Sequence, residues 1–136
     1  MLLEALISIL IFSLGILGIV KLQSVSVQQS STANYRVLAS MLANDVISQM
    51  WVSDKATLES DFESGAKYTA WAQKVTASGL PGISSEVNQP SIAITSVAAG
   101  STAPGSTPSY QALVTVPWKS PSDSAVQKYI VVAQIK

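Results

Sequence analysis

A single glutamate stands inside the most apolar stretch of this chain, and its chemistry needs an explanation. Residues 1–20 contain only Glu4, Ser8 and Ser13 as plainly polar side chains. An ionisable group in such a run costs several kcal/mol in lipid unless a charge of opposite sign accompanies it, and such groups are functional by default. The nearest candidate cation is an N-terminal amine, from Met1 or from a neighbouring chain. We therefore predict that Glu4 pairs with an amine; the alternative is that it reaches headgroups or solvent at the end of the span.

The other acidic side chains offer little for catalysis or metal binding. The chain has no cysteine and no histidine, which excludes thiol chemistry, cysteine zinc sites and disulfides, and removes the commonest general base. No glycine-rich phosphate loop is present, and the spacing of Asp54, Asp61 and Asp123 fits no calcium loop. We therefore expect no enzymatic activity and no cofactor. The carboxylates that we assign to a solvated face are Asp45, Asp54, Glu59, Asp61 and Glu63.

The charge balance limits the possible partners, and the chain length limits the number of domains. Eight basic and eight acidic residues give a net charge of zero, so nothing electrostatic favours nucleic acid as a partner. A chain of 136 residues predicts one domain.

The apolar run begins a long predicted helix. About 20 apolar residues, at ~1.5 Å each, span the ~30 Å hydrocarbon core of a membrane, and Lys21 marks the polar boundary. No proline or glycine interrupts residues 22–52, so one helix of about 50 residues is expected. Its first half is apolar all round and its second half is amphipathic. The apolar stripe of the second half comprises Val25, Tyr35, Leu38, Leu42, Val46 and Met50.

Two further features of the apolar run bear on its role. A cleaved secretory signal would carry a basic segment ahead of the run, whereas here an acidic residue stands at position 4, so we expect the segment to be retained.

Gly15 and Gly18 weaken the helix in water but allow close helix approach in lipid. Whether they provide flexibility or only packing space stays open.

The chain after the long helix predicts a turn, a second helix and a loop ahead of a small sheet. A polar turn is expected over 54–64, a second helix over 65–78 with Tyr68, Trp71 and Val75 on one face, and a loop over 79–90. The scattered aromatic residues are assigned to core packing. They are Tyr35, Trp51, Trp71, Tyr110, Trp118 and Tyr129.

Alternating apolar residues predict three strands, over 91–98, 110–118 and 127–135, connected by loops at 99–109 and 119–125. An antiparallel meander follows, in which Pro117 ends its strand or lies at an edge. The fold class is therefore α+β, with the amphipathic half of the helix covering the sheet. We divide the chain into a hydrophobic helix, 1–24, and a globular head, 25–136.

The segment MLLEALISILIFSLGILGIV resembles the N-terminal methylation segment of type IV pilins and pseudopilins after removal of their leader. The stretch LLEALISILIFSLGILGIVKLQ, followed by the region around NYRVLASMLANDVISQMW, is closest to minor pilins of the PilV type. The tail, VTVPWKSP followed by KYIVVAQIK, is similar to them in style. The resemblance covers most of the chain, with high specificity in the N-terminal segment and moderate specificity in the head.

This resemblance implies a pilin fold and a structural role in a type IV pilus, in adhesion, motility or DNA uptake. Subunits would wait in the bacterial inner membrane and then assemble into an extracellular helical filament, with other pilins and the inner-membrane assembly machinery as partners. Glu4 would set the axial register by pairing with the terminal amine of an adjacent subunit.

The chain departs from the family pattern in four respects, one of which is that, without cysteine, it cannot form the disulfide that closes a C-terminal loop in many pilins. The family glutamate is the fifth mature residue, so we expect either one residue ahead of Met1 or a different mature start. Met1 stands where the family has an N-methylated phenylalanine, and methylation is not transferred to it. The helix lacks the proline common near the apolar boundary, so any local unwinding would centre on Gly15 and Gly18.

The sequence is compatible with two other functions. A type II secretion pseudopilin would share the N-terminal segment but form a short periplasmic piston. A membrane protein with one span and a periplasmic binding domain would share the span but leave Glu4 unexplained. Whether the chain is a major or a minor subunit also stays open.

Overall fold

The computed structural model describes residues 2–97 and 109–136, so Met1 and nearly all of the predicted 99–109 connection lie outside the described residues. Three helices are followed by three strands, which confirms the α+β class. The helices are α1 (Leu2–Val52), α2 (Leu58–Glu63) and α3 (Ala66–Thr76), and the strands are β1 (Ser91–Val97), β2 (Ser109–Trp118) and β3 (Gln127–Ile135). The chain divides after Asn34 into two compact units.

The predicted single long helix is confirmed, because α1 runs through 51 residues without a break. Its apolar first half contains hydroxyl groups that are satisfied within the helix itself. Ser8 Oγ donates to the carbonyl oxygen of Glu4 at 2.8 Å, and Ser13 Oγ donates to that of Leu10 at 2.8 Å. These bonds let both serines lie in an apolar environment without a buried unpaired group.

The amphipathic half of α1 packs against the sheet and supplies one wall of the core. The predicted stripe is confirmed at Leu42, Val46 and Met50, which are buried, and Tyr35 and Leu38 pack against them partly buried. Burial against the sheet was predicted for the part of the stripe from Tyr35 to Met50; Val25, at its start, is exposed and precedes the unit that contains the sheet. The pattern also missed two small residues on the buried face, Ala39 and Ala43.

The segment predicted as a polar turn contains a helix instead. Within it α2 spans Leu58–Glu63, and the Asp61 N–H donates to the Thr57 carbonyl at 2.9 Å. Leu58 and Phe62, four residues apart, are both fully buried. Four polar residues in six concealed this pair, which is enough to hold one helical turn against the core.

The second predicted helix is confirmed as α3, with Trp71 and Val75 buried and Tyr68 partly buried. Two of its side chains bind distant backbone. Trp71 Nε1 donates to the Leu42 carbonyl of α1 at 2.9 Å, and the Tyr68 hydroxyl donates to the Pro90 carbonyl at 2.8 Å. These bonds fix α3 between α1 and the start of the sheet.

The sheet is the predicted antiparallel meander, in the order β1-β2-β3. Ile92 and Ile94 point into the core and pair with Val114 and Ala112, as the alternation predicts. Pro117 lies beyond the last β1 pair, where β2 has only β3 as a neighbour, so the edge position predicted for it is confirmed.

The aromatic residues follow the core prediction with one exception. Trp71 and Trp118 are buried, and the tyrosines named above pack against the core. Trp51 is 50% exposed at the end of α1, so its assignment to the core was wrong. It is placed on the outer face because Met50, its neighbour, takes the inward position.

Candidate functional site

The first candidate site is the exposed apolar surface of α1 over residues 2–20, which we call the apolar segment. Every large apolar side chain in it is exposed, and the least exposed, Ile16, keeps 45% of its surface accessible. The helix is long and apolar enough to cross a membrane by length and composition. So large a contiguous apolar surface marks a site of contact with lipid or with other protein chains.

Glu4 lies in the first turn of this segment, and its side chain is exposed. A carboxylate in a first helical turn interacts favourably with the unpaired amides of the helix N-terminus. Among the described residues no cation forms an ion pair with it. The predicted partner, the amine at Met1 or its equivalent in another chain, lies outside the described residues, so that pairing stays a prediction.

Gly15 and Gly18 lie within regular helix. A Cβ added at either position would meet nothing within 4 Å among the described residues. The glycines are therefore not required by packing against the other described residues. Their assignment to helix flexibility stays a prediction.

Four of the small and polar positions of the apolar segment lie on one face of the helix together with Ile11, whereas Ala5 and Ser13 lie outside that face. At 100° per residue, Glu4, Ser8, Gly15 and Gly18 fall within a sector of about 80°. From the sequence, Ser8 was noted only as a polar residue. The helix places it one turn from Glu4, on the same face. The spacing of four residues between them could have predicted this position from the sequence. We call these four residues the small-residue face.

The amphipathic half of α1 also presents apolar side chains on its outer side. Val37, Met41 and Trp51 are exposed and lie opposite the buried stripe. At the end of the helix, Lys55 Nζ donates to the carbonyl oxygens of Met50 and Trp51, at 3.2 and 3.1 Å. This cation caps the helix C-terminus, which has no basic residue in its own last turn.

The carboxylates assigned to a solvated face divide into two groups. Asp54 and Glu59 are exposed, as predicted. The other three contact residues of other elements, and for them the prediction was incomplete. Asp45 pairs with Lys74 at 2.8 Å, Asp61 pairs with Lys67 at 3.0 Å, and Glu63 Oε1 accepts a hydrogen bond from the Ile94 N–H at 2.6 Å.

The surroundings of Asp61 alter its pKa. The hydrogen bond from Lys67 lowers the pKa of Asp61 below its ordinary value; burial opposes this shift, and the Thr57 hydroxyl and the charge of Lys67 add to it. Lys67 Nζ also lies 3.1 Å from Ser53 Oγ and 5.1 Å from the Phe62 ring centroid. The lysine therefore joins α3 to α2 and to the segment after α1.

The described residues contain no group of three or more acidic side chains placed to hold a metal ion. A groove of about 450 Å³ lies between α3 and the loop that precedes β1. Tyr68 is the only titratable side chain that lines it; the rest of its lining is threonine, serine, glutamine, alanine and proline. Its surface offers no acid–base pair.

No family model matches the chain, and no curated protein or solved structure shows a significant match. The fold and the site define the class of protein at a coarse level. This is an α+β protein whose N-terminal helix is apolar enough for membrane insertion and carries one carboxylate in its first turn.

Proposed function

We propose that this protein is a structural subunit of a type IV pilin-like filament. The apolar segment spans the membrane before assembly and packs among the same segments of other copies afterwards. The observation that carries the proposal is the small-residue face, where Glu4 shares one side of an exposed apolar helix with Gly15 and Gly18. A membrane anchor alone requires neither the carboxylate nor the glycines.

The energetics of transfer explain why these few residues matter. Moving an apolar helix from water into a protein core stabilises it by about 25 cal/mol per Å² buried. Lipid tails are as apolar as leucine, however, so moving the same helix from lipid into a filament core yields little from apolar area. The net preference for assembly must then come from close packing at the glycines and from neutralising Glu4.

Glu4 is suited to select one arrangement of subunits. A carboxylate without a cation is costly in an apolar environment, and the cost is removed only where docking brings a cation to it. In this proposal the cation is the terminal amine of an adjacent subunit, so only one axial offset between helices is favoured. Repetition of such a head-to-tail contact, which does not close on itself, generates an open-ended helical filament.

The proposal is tested by replacing Glu4 in cells that assemble the filament. Glu4→Leu is expected to leave the chain in the membrane fraction and to reduce its amount in sheared surface filaments at least tenfold, because the register-selecting pair is lost. Ser8→Ala is the matched control: it changes the same face, removes only a bond internal to the helix, and should leave filament yield near normal. Wild-type filament yield from Glu4→Leu would overturn the proposal.

Electron microscopy separates a pilus from a short periplasmic pseudopilus, which would use the same helix packing. Long surface filaments whose density fits this chain throughout would make it the major pilus subunit. Density confined to the tip would make it a minor subunit, and filaments that stay within the periplasm would assign it to a secretion pseudopilus.

A further inference from the structure

The two edge strands of the sheet differ in whether another strand can join them. At β1, the Ile94 N–H donates to the Glu63 carboxylate at 2.6 Å, and α2 packs against the strand. The side chain therefore occupies a backbone donor that an incoming strand would need. The β1 edge is blocked at its middle, which is one of the ways in which proteins protect a sheet edge.

The outer edge of β3 carries no such protection in the part of the chain that the structure describes. The strand is nine residues long, contains no proline, and pairs with β2 in unbroken register from Gln127 to Ile135. Ile130 and Val132 are 55% and 54% exposed on its outer face, and Leu113 of β2, opposite Val132, is 40% exposed. A long, regular edge with apolar side chains beside it is suited to strand addition.

The charges along β3 indicate what kind of strand would fit. Lys128 lies at the start of the strand, and Lys136 follows its end at the next position of the same alternation. Neither forms an ion pair with another described residue. The outer face of the edge therefore presents a cation, two apolar residues, Gln134 and a second cation, in that order.

A second copy of the same strand fits this face poorly in the antiparallel register that places Ile130 opposite Val132. In an antiparallel pair centred on Val131, Ile130 and Val132 would face their counterparts, and Lys128 would face Gln134 of the second copy. Each Lys128 would then lie diagonal to Lys136 of the second copy, within reach of a long side chain. Like charges at both ends oppose self-pairing in this register, whereas acidic residues at both ends of an incoming strand would be attracted.

We propose that the outer edge of β3 accepts an extended segment of a different protein as a fourth strand. The segment places apolar residues over Ile130 and Val132 and one carboxylate near each of Lys128 and Lys136. Main-chain hydrogen bonds supply the attachment, and the two charged ends supply the selectivity. This inference does not depend on filament formation.

The test uses the full-length chain in detergent micelles and two labelled nine-residue peptides. Both peptides alternate valine and threonine; one has aspartate at both ends and the other has lysine at both ends. The aspartate-ended peptide is expected to bind about tenfold more tightly, since two exposed charge pairs separate the peptides. Amide hydrogen exchange should slow in residues 127–135 when it binds, and stay unchanged in β1.

Charge reversal sharpens the test. Lys128→Glu/Lys136→Glu is expected to reverse the preference between the peptides, and Lys128→Gln/Lys136→Gln to abolish it. Lys21→Glu/Arg36→Glu makes the same change in net charge on α1 and should leave the preference intact. Ile130→Thr/Val132→Thr should weaken the binding of both peptides.

Three results would overturn the proposal. Equal affinity of the wild-type chain for the two peptides would remove the role of the lysines, and binding without protection of β3 would place the contact elsewhere. Protection of β3 that rises with protein concentration, without peptide, would make a second copy the occupant.

Discussion

Single side chains join the elements of the head through a few polar contacts, and Lys67 makes more of them than its neighbours. It pairs with Asp61, hydrogen-bonds Ser53 and lies over the Phe62 ring. Trp71 and Glu63 similarly reach backbone groups of α1 and β1. Sequence reasoning assigned Trp71 to the core and Glu63 to a solvated face but could not assign their partners, because each contact depends on the path of a distant segment.

The pair of Lys67 and Asp61 predicts a pH-dependent contribution to stability. Because Lys67 lowers the pKa of Asp61, the stabilisation is fully present above the ordinary value of 3.8 and is lost as the pH falls through the lower folded value. Lys67→Met is therefore expected to lower the thermal unfolding temperature at pH 7 but to differ less from wild type in strong acid. Circular dichroism melts across pH check this.

Asp61→Asn serves as the control, because it removes the titrating group and should show the same loss of the acid-sensitive component. If Lys67→Met kept the full pH dependence of the wild type, the lysine would not be the cause of the low pKa.

At the scale of elements, the short turn between α2 and α3 requires a residue without a side chain. A Cβ at Gly65 would lie 2.5 Å from the Ser60 carbonyl oxygen and 2.8 Å from Asp61 Cα. Both neighbours are backbone atoms, so they cannot move aside as a flexible side chain would. The φ angle of Gly65 is −83°, which any residue adopts, so space rather than backbone conformation requires the glycine.

Gly65→Ala is therefore expected to destabilise the head by about 1–3 kcal/mol, as overpacking does in well-packed sites. Chemical denaturation followed by tryptophan fluorescence would measure the change. Ser64→Ala, at the exposed neighbouring position, is the control and should be close to neutral. Equal stability of the two variants would show that α2 and α3 can separate at little cost.

At the scale of the whole molecule, the proposed function predicts that the small-residue face matters only when chains meet. Gly15→Leu/Gly18→Leu should fold and insert normally, because open space surrounds both positions and leucine favours helix by up to about 1 kcal/mol per site. Incorporation into filaments should fall severalfold, because bulky side chains prevent close helix approach.

Leu17→Phe enlarges a side chain on the opposite face of the helix and serves as the control for the glycine variants. Membrane fractionation and sheared-filament yield, measured for both, separate insertion from assembly. If the leucine variants assembled as well as the wild type, the small-residue face would have no role in packing.

Local sequence pattern determined the long helix, α3, the three strands and the apolar segment. The helical period of 3.6 residues and the strand period of 2 residues are both visible within a short stretch of chain. It failed at α2, where only Leu58 and Phe62 carry the apolar signal, and at Trp51, which lies beside an inward residue. Tertiary structure alone decided which sheet edge is blocked and which is open. Glu63 reaches the Ile94 amide across 31 residues, and Trp71 reaches the Leu42 carbonyl across 29. Such contacts arise only after α2 and α3 fold back on α1 and the sheet, so no local period can encode them.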